Sequence, residues 1–208
     1  PISGMMLFED IKLQLVDTPA IIPDDPVPAL FSNARLADVL IVVLDSSSED
    51  ELGDLSAIID LLTDRKVLVE NRDASHAGVT SDRMLIACNK SDLQGDEGNI
   101  GILKELYPAF TFLRCSALTG EGLSELPKLV FDKAGIIRVY AKPPGGKLER
   151  KDPYVVKRGS RVEDVAEAIH KELKGRFKSA RLWGSSKYSG MSVHRDFIVS
   201  DGDIIEFD

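Results

Sequence analysis

The sequence from residue 84 to residue 92 reads Met-Leu-Ile-Ala-Cys-Asn-Lys-Ser-Asp, an apolar run that ends abruptly in polar side chains. Five consecutive apolar residues are typical of a strand covered on both faces, as in the parallel sheets of α/β proteins. Such sheets bind their ligands at the carboxyl ends of the strands. The stretch therefore predicts a buried strand that presents Asn89, Lys90 and Asp92 to a ligand.

The spacing Asn-Lys-x-Asp at residues 89–92 suits one particular purine base. The Asp92 carboxylate only accepts hydrogen bonds, so it matches the adjacent ring N–H and exocyclic amine of guanine, whereas adenine offers no such pair. The stem of Lys90 can lie against the face of the base, and Asn89 can bridge the base and neighbouring loops. Taken alone, these residues also fit an ordinary strand-to-helix turn capped by Ser91 or Asp92.

Two other predicted strands end in similar polar turns. Upstream, the alternating strand Ile11–Val16 runs into Asp17-Thr18-Pro19-Ala20. Downstream, Phe110–Arg114 leads into Cys115-Ser116-Ala117-Leu118-Thr119-Gly120-Glu121-Gly122. With the Asn-Lys-x-Asp turn between them, these motifs resemble the P-loop GTPases in order and in position at strand ends.

Strands and helices alternate between residues 39 and 135, which predicts a doubly wound sheet. Val39–Asp45 is the most apolar strand and is predicted to be central. Ser46, Ser47 and Ser48 are predicted to cap a helix from about Asp50 to Thr63. Residues 65–82 are polar and irregular, apart from Val67-Leu68-Val69, and predict a surface insertion.

The remaining chain predicts a small β-grasp fold. Its predicted elements are the strands Ile136–Lys142 and Tyr154–Lys157, a helix over Val162–Leu173, and the strands Ala180–Trp183 and Asp203–Phe207. Three segments carry a resemblance to the TGS domain, in particular to the one that ends the developmentally regulated GTP-binding proteins of the Obg-like group: Arg138–Pro144, Val162–His170, and Ala180–Gly184 with the closing Asp201-Gly202-Asp203.

The resulting prediction is an α/β chain of two domains. A partial doubly wound P-loop GTPase domain is expected at residues 1–135, and a small β-grasp, ubiquitin-like TGS domain at residues 136–208.

The resemblance implies roles for particular residues. Asp17 would hold a magnesium ion through water, and the backbone N–H of Ala20 would face the terminal phosphate of GTP. The guanine base of GTP or GDP would be bound by two groups of residues: Asn89, Lys90 and Asp92, and the loop of Ser116, Ala117 and Leu118, whose backbone N–H meets the guanine carbonyl oxygen.

Three features depart from the family pattern. Ala20 stands where the family normally has Gly, and it restricts the peptide flip that registers the terminal phosphate. Ile21 stands where many GTPases have a water-orienting Gln, which implies slow hydrolysis or outside help. The printed sequence contains no Gly-x-x-x-x-Gly-Lys-Ser/Thr.

Because residues 1–4 resemble the trailing edge of the first switch, we expect a truncated chain that lacks the first strand, the P-loop and switch I. That loss would leave a gap between the strands that begin at Ile11 and Val39. We expect this chain alone to be inactive.

Charge is distributed unevenly around the net value of −8. Residues 136–208 hold 15 Lys and Arg against 11 Asp and Glu, whereas the rest of the chain holds 11 against 23. A basic TGS domain can face the phosphates of ribosomal RNA or tRNA, or bind a regulatory protein. The candidate residues are Arg138, Lys142, Lys147, Lys157, Arg158, Arg161, Lys171, Lys174, Arg176, Lys178, Arg181 and Lys187. Trp183 can stack on a base but is predicted to lie in the core.

Neither a signal peptide nor an apolar run long enough to span a bilayer occurs in the sequence, so we expect a cytoplasmic protein without a membrane partner. Cys88 and Cys115 form no disulfide framework or zinc motif and are predicted to be buried apolar residues.

The favoured hypothesis is a translation-associated GTPase that hydrolyses GTP with magnesium. The alternative is a degenerate, non-hydrolysing adaptor that acts through its TGS domain. A tRNA synthetase or alarmone synthetase is disfavoured, because residues 89–92 have no role in such enzymes.

Overall fold

The computed structural model describes residues 2–21, 28–71, 77–93 and 98–208. The chain splits into two compact units, one formed by Pro1–Met6 and Leu13–Ala134 and the other by Leu7–Lys12 and Gly135–Asp208. Pro1, at the start of the predicted switch segment, lies outside the described residues.

The first unit contains a three-stranded parallel sheet in the order β3-β4-β5. Its strands are β3 (Leu40–Asp45), β4 (Met84–Asn89) and β5 (Thr111–Arg114). The strand predicted to be central, β3, lies at the edge of this sheet, and its Val43 is 62 % exposed. That prediction was wrong because an apolar run indicates which faces of a strand are covered, not how many neighbouring strands it has.

A separate two-stranded sheet is formed by β1 (Ile2–Phe8) and β2 (Ile11–Asp17), which make a hairpin. Among the described residues β2 does not pair with β3.

Both faces of the β3-β4-β5 sheet are covered. One face is covered by α1 (Pro28–Leu36), α2 (Glu51–Asp64) and α3 (Gly98–Leu106). The other face is covered by α4 (Leu126–Ala134), together with Met6 and Leu13 of the hairpin. Side chains alternate between the two faces along β4. Met84, Ile86 and Cys88 therefore pack in the apolar cluster on one face of the sheet, and Leu85 and Ala87 pack in the cluster on the other face. The predicted α/β class is confirmed.

Helix α2 begins at Glu51, and its N-cap is Asp50, whose carboxylate accepts the Gly53 N–H at 3.0 Å. The prediction of a serine cap was wrong, since the three serines bond elsewhere. Ser46 donates to Glu51, Ser47 to Asp45 and Ser48 to Asp54.

We expect Asp50→Ala to destabilise the first unit by about 1 kcal/mol, because one N-terminal N–H of α2 loses its acceptor. Asp50→Asn should retain most of the stability, since asparagine caps about as well. Thermal unfolding of both variants measures the difference. Equal losses for alanine and asparagine would contradict a capping role.

The predicted surface insertion is anchored at both ends. Val67 and Val79 are fully buried, and Leu68 forms a parallel bridge with Val79. The surface prediction was therefore wrong at the ends of the segment, where the apolar run from Val67 and the isolated Val79 are buried together. Residues 72–76 of the predicted insertion lie outside the described residues.

The second unit contains a five-stranded sheet in the order β7-β6-β10-β8-β9, with β10 parallel to β6 and the other pairs antiparallel. Its elements are β6 (Ile136–Ala141), β7 (Tyr154–Lys157), α5 (Val162–Ile169), α6 (Leu173–Arg176), β8 (Ala180–Trp183), β9 (Met191–Val193) and β10 (Asp203–Phe207). Val162, Val165 and Ala166 of α5 are fully buried in its core. The predicted β-grasp is confirmed.

The predicted helix over Val162–Leu173 is interrupted. Helix α5 ends at Ile169, because His170 adopts an extended conformation (φ −162°, ψ 130°), and α6 begins only at Leu173. The His170 Nδ1 accepts the Glu172 N–H at 3.2 Å and so stabilises the turn between the two helices.

Across the described residues, no helix combines the length and the apolar character that crossing a membrane requires.

Candidate functional site

The loops that follow β4 and β5 are joined by side-chain hydrogen bonds. Asn89 Oδ1 accepts the Ala117 N–H at 2.9 Å, and the Asp92 carboxylate accepts the Ser116 hydroxyl. Ser116 Oγ in turn accepts the Thr119 N–H at 3.1 Å. Parallel pairing of Cys88 with Arg114 places the two strand ends side by side, so motifs 24 to 28 residues apart in sequence meet.

Exposure differs among these residues in a way that suits ligand binding. Ser116 is fully buried, whereas Asp92, Ala117 and Leu118 are exposed, and Leu118 is 85 % exposed. Ser116 therefore anchors the loop on its buried side. Asp92 presents a carboxylate to solvent, Ala117 a backbone amide and Leu118 an apolar side chain.

A second layer of contacts holds the two loops in place. Arg114 pairs with Glu121, and its Nη2 donates to the Ser91 carbonyl oxygen at 3.1 Å. Ser91 Oγ donates to Glu121 at 3.2 Å, and the Ser116 N–H donates to the Glu121 carbonyl oxygen at 3.0 Å. Sequence reasoning missed the roles of Arg114 and Glu121, although both lie beside the motif residues.

Lys90 forms an ion pair with a residue outside the Asn-Lys-x-Asp motif. Its Nζ lies 2.6 Å from Asp45 Oδ2, and Asp45 Oδ1 accepts the Ser47 N–H at 2.9 Å and the Ser47 hydroxyl at 2.5 Å. The available signal was the position of Asp45, a carboxylate at the end of an apolar strand.

The hydrogen bond from Lys90, followed by those from Ser47, lowers the pKa of Asp45 to about 2 from an ordinary value of 3.8. Because the folded state favours the ionised carboxylate, this contribution to stability is present above pH 3.8 and is lost as the pH falls towards 2.

We expect the Asp45 carboxyl to titrate near pH 2, and Lys90→Met to raise its pKa towards 3.8 without reaching that value, because Ser47 still donates. Side-chain carboxyl ¹³C NMR across an acid titration measures both pKa values. An unchanged Asp45 pKa in the Lys90 variant would contradict the pairing.

A buried carboxylate lies close to these loops. Glu51, at the start of α2, is 3 % exposed and accepts the Ser46 hydroxyl at 3.1 Å. Burial, followed by the charge of Glu51, raises the pKa of Cys88 to about 12, and burial also raises the pKa of Cys115. Both thiols are buried, as predicted.

Asp17 and Ala20 are exposed at and after the end of β2, and they take no part in the described contacts of the loops after β4 and β5. A single exposed carboxylate suits a magnesium ion that keeps most of its waters. No cluster of three or more metal-binding side chains is found among the residues that the structure describes.

Two of the predicted RNA-facing residues are withdrawn from solvent in the second unit. Arg138 is 8 % exposed and is paired with Asp201 at 2.8 Å, Asp10 at 3.1 Å and Glu9. Lys142, whose side chain is 10 % exposed, pairs with Glu206. The prediction for these two was wrong, because carboxylates distant in sequence cover them.

The other basic candidates divide into two groups. Lys174, Arg176 and Arg181 pair with carboxylates at 2.7, 3.1 and 3.8 Å. Seven are exposed with no carboxylate partner in the described part of the chain: Lys147, Lys157, Arg158, Arg161, Lys171, Lys178 and Lys187. Trp183 is only partly buried, contrary to the predicted core position, and the Lys142 Nζ lies 4.9 Å from its ring centroid.

Residues 137–207 match the family model of the TGS domain. The chain is 28 % identical over 187 residues to an uncharacterized GTP-binding protein of Methanocaldococcus jannaschii, an alignment covering 88 % of this chain and 43 % of that protein.

Two further relatives match shorter segments. Ribosome-interacting GTPase 1 of Saccharomyces cerevisiae is 36 % identical over 113 residues, covering 53 % of this chain and 30 % of the relative. Developmentally-regulated GTP-binding protein 1 of Xenopus laevis is 29 % identical over 130 residues, covering 62 % and 35 %. The chain spans less than half the length of each relative.

Proposed function

We propose that this chain binds the guanine base of GTP and GDP at the loops after β4 and β5. The premise is that it belongs to the Obg-like GTPases that carry a TGS domain. The pair of contacts Asn89–Ala117 and Asp92–Ser116 carries the proposal, because they hold a carboxylate and backbone amides on one exposed surface. We assign residues 1–135 to the GTPase domain and residues 136–208 to the TGS domain.

Each proposed base contact uses an exposed group. Asp92 accepts the guanine ring N–H and exocyclic amine, the backbone N–H groups of Ala117 and Leu118 face the carbonyl oxygen, and the Lys90 stem lies on the ring. Charge-assisted hydrogen bonds to a carboxylate are among the stronger polar contacts, so Asp92 provides most of the discrimination between bases.

We further propose that the full-length product of the gene hydrolyses GTP. Asp17 would hold magnesium through water, which supplies charge neutralisation at the phosphates, and the Ala20 N–H would face the terminal phosphate. Ile21 cannot orient water as a glutamine does, so slow intrinsic hydrolysis is expected.

The TGS domain is proposed to dock on ribosomal RNA in the cytoplasm. Seven exposed basic residues that have no carboxylate partner in the described part of the chain support this partner, as does the name of the yeast relative. We expect ribosome association to weaken steeply with salt, because phosphate contacts release counterions. Cosedimentation at increasing salt concentrations measures this, and salt-insensitive association would indicate a protein surface instead.

Titration with fluorescent GDP and ADP, in the presence of magnesium, tests guanine binding. The titration should use the protein as its gene encodes it, because phosphate contacts add affinity to the proposed base contacts. A clear preference for GDP by the full-length product is expected. Equal binding of GDP and ADP, or binding of neither, would contradict the proposal.

A second candidate function is an adaptor that binds the nucleotide without hydrolysing it. Ala20 favours this candidate, because it restricts the backbone movement that a glycine at this position permits. Single-turnover GTP hydrolysis by the full-length product, with and without ribosomes, distinguishes the two. No phosphate release in either condition would favour the adaptor.

A further inference from the structure

We propose that Asp45 is a positioning residue of the guanine site, which acts by holding the Lys90 side chain against the face of the base. This inference rests on the function proposed above and extends it to a residue outside the recognised motifs.

Strand pairing brings Asp45 to the site. It ends β3, and the parallel register of β3 and β4 pairs Asp45 with Asn89, the residue before Lys90. The Ser46 N–H donates to the Asn89 carbonyl oxygen at 2.9 Å and extends this pairing past the end of the sheet. The position of Asp45 relative to Lys90 is therefore set by backbone hydrogen bonds.

The Asp45 carboxylate is itself oriented. One oxygen accepts two hydrogen bonds from Ser47, which leaves the other oxygen directed at the Lys90 Nζ, 2.6 Å away. A carboxylate held at both oxygens has little rotational freedom, so the ammonium group it binds is also confined to one place.

The backbone of Lys90 supports the same conclusion. Its φ of +65° lies in the left-handed region, which residues other than glycine rarely occupy. Such strain persists only where surrounding contacts determine the conformation, and it often accompanies ligand contacts. Here the neighbours Asn89 and Ser91 are bonded to the β5 loop, while Asp45 holds the side chain of Lys90 itself.

Stability alone does not account for this ion pair. Lys90 and Asp45 side chains are 49 % and 44 % exposed, and exposed ion pairs contribute little to folding. A long lysine side chain, however, loses much rotamer freedom when it is ordered against a ligand. A carboxylate that orders the side chain in advance reduces that cost on binding.

A double-mutant cycle on the full-length product tests the inference, with fluorescent GDP as the probe. Asp45→Asn should weaken GDP binding about three- to tenfold, from the lost ordering of one lysine side chain. Lys90→Met should weaken it at least as much. In the Lys90→Met background, Asp45→Asn should have no further effect, because Asp45 acts through the ammonium group.

Two controls separate positioning from general stability. Asp132→Asn removes the acid of another exposed pair, Lys128–Asp132 on α4, and should leave GDP affinity unchanged. Asp45→Asn should weaken GDP and IDP binding by the same factor, because contact with the ring face does not sense the exocyclic amine. Melting temperatures of all variants should stay close to that of the wild type.

Equal weakening by Asp45→Asn in both backgrounds, or no weakening in the wild-type background, would overturn the inference while leaving the proposed function intact. A wild-type protein that does not prefer GDP to ADP would overturn the proposed function itself and the inference with it.

Discussion

Asp92→Asn should reverse the base preference of the nucleotide site from guanine to xanthine. A carboxylate accepts both donors of guanine, whereas an amide accepts one hydrogen bond and donates another, which matches the ring N–H and the carbonyl oxygen of xanthine. The unpaired guanine amine then faces an amide donor, at a cost of about 1 to 3 kcal/mol for each unsatisfied group. GDP affinity should fall about 100-fold, and XDP affinity should rise by a similar factor.

The structure provides a reason why this substitution should leave the loops intact. Asp92 accepts the Ser116 hydroxyl through one oxygen, and the amide oxygen of asparagine can accept the same hydrogen bond. Competitive titration with GDP and XDP measures the preference, and circular dichroism monitors the fold. Unchanged base preference in a folded variant would remove Asp92 from the site. Asp132→Asn, on α4, is the matched control for loss of one negative charge.

Gly122→Ala should be the most destabilising single change in the loop after β5. Gly122 adopts φ +72°, and a Cβ there would lie 2.1 Å from the Arg114 carbonyl oxygen, a contact that side-chain rotation cannot relieve. Left-handed strain costs about 1 to 2 kcal/mol, and the displaced backbone brings the total to about 3 kcal/mol or more.

Gly120 provides a matched control in the same loop. It also has a positive φ, +84°, but a Cβ there would meet nothing within 4 Å, so Gly120→Ala should cost only the backbone strain. Calorimetry should show a melting temperature several degrees lower for Gly122→Ala than for Gly120→Ala. GDP affinity should fall with it, because Arg114 and Glu121 hold both loops. Equal losses for the two variants would contradict the clash.

Local patterns predicted the strands well where alternation and turn residues are clear. The bounds of β7, β8 and β10 agree with the prediction, since each is a short alternating or apolar run beside glycine, proline or charged residues.

Partners distant in sequence were not predictable in the same way. Asp45 lies 45 residues before Lys90, and only the register of two parallel strands reveals that they meet. Arg138 in β6 and Lys142 just after it illustrate the same limit. Alternation places them on the face that points away from the apolar core, but it does not indicate that acidic residues cover them there. The serines before α2 were equally ambiguous, since each can cap or bond elsewhere.

The position of β10 affects how the second unit can fold during synthesis. This strand lies between β6 and β8 in the sheet, yet it follows all the other strands in the chain and is separated from β6 by residues 142–202. Closing such a long loop carries an entropic cost that precedes any compensation by strand pairing. The sheet therefore cannot be completed until Phe207 has left the ribosomal exit tunnel, and a nascent chain stalled earlier leaves backbone N–H and C=O groups of β6 and β8 unpaired.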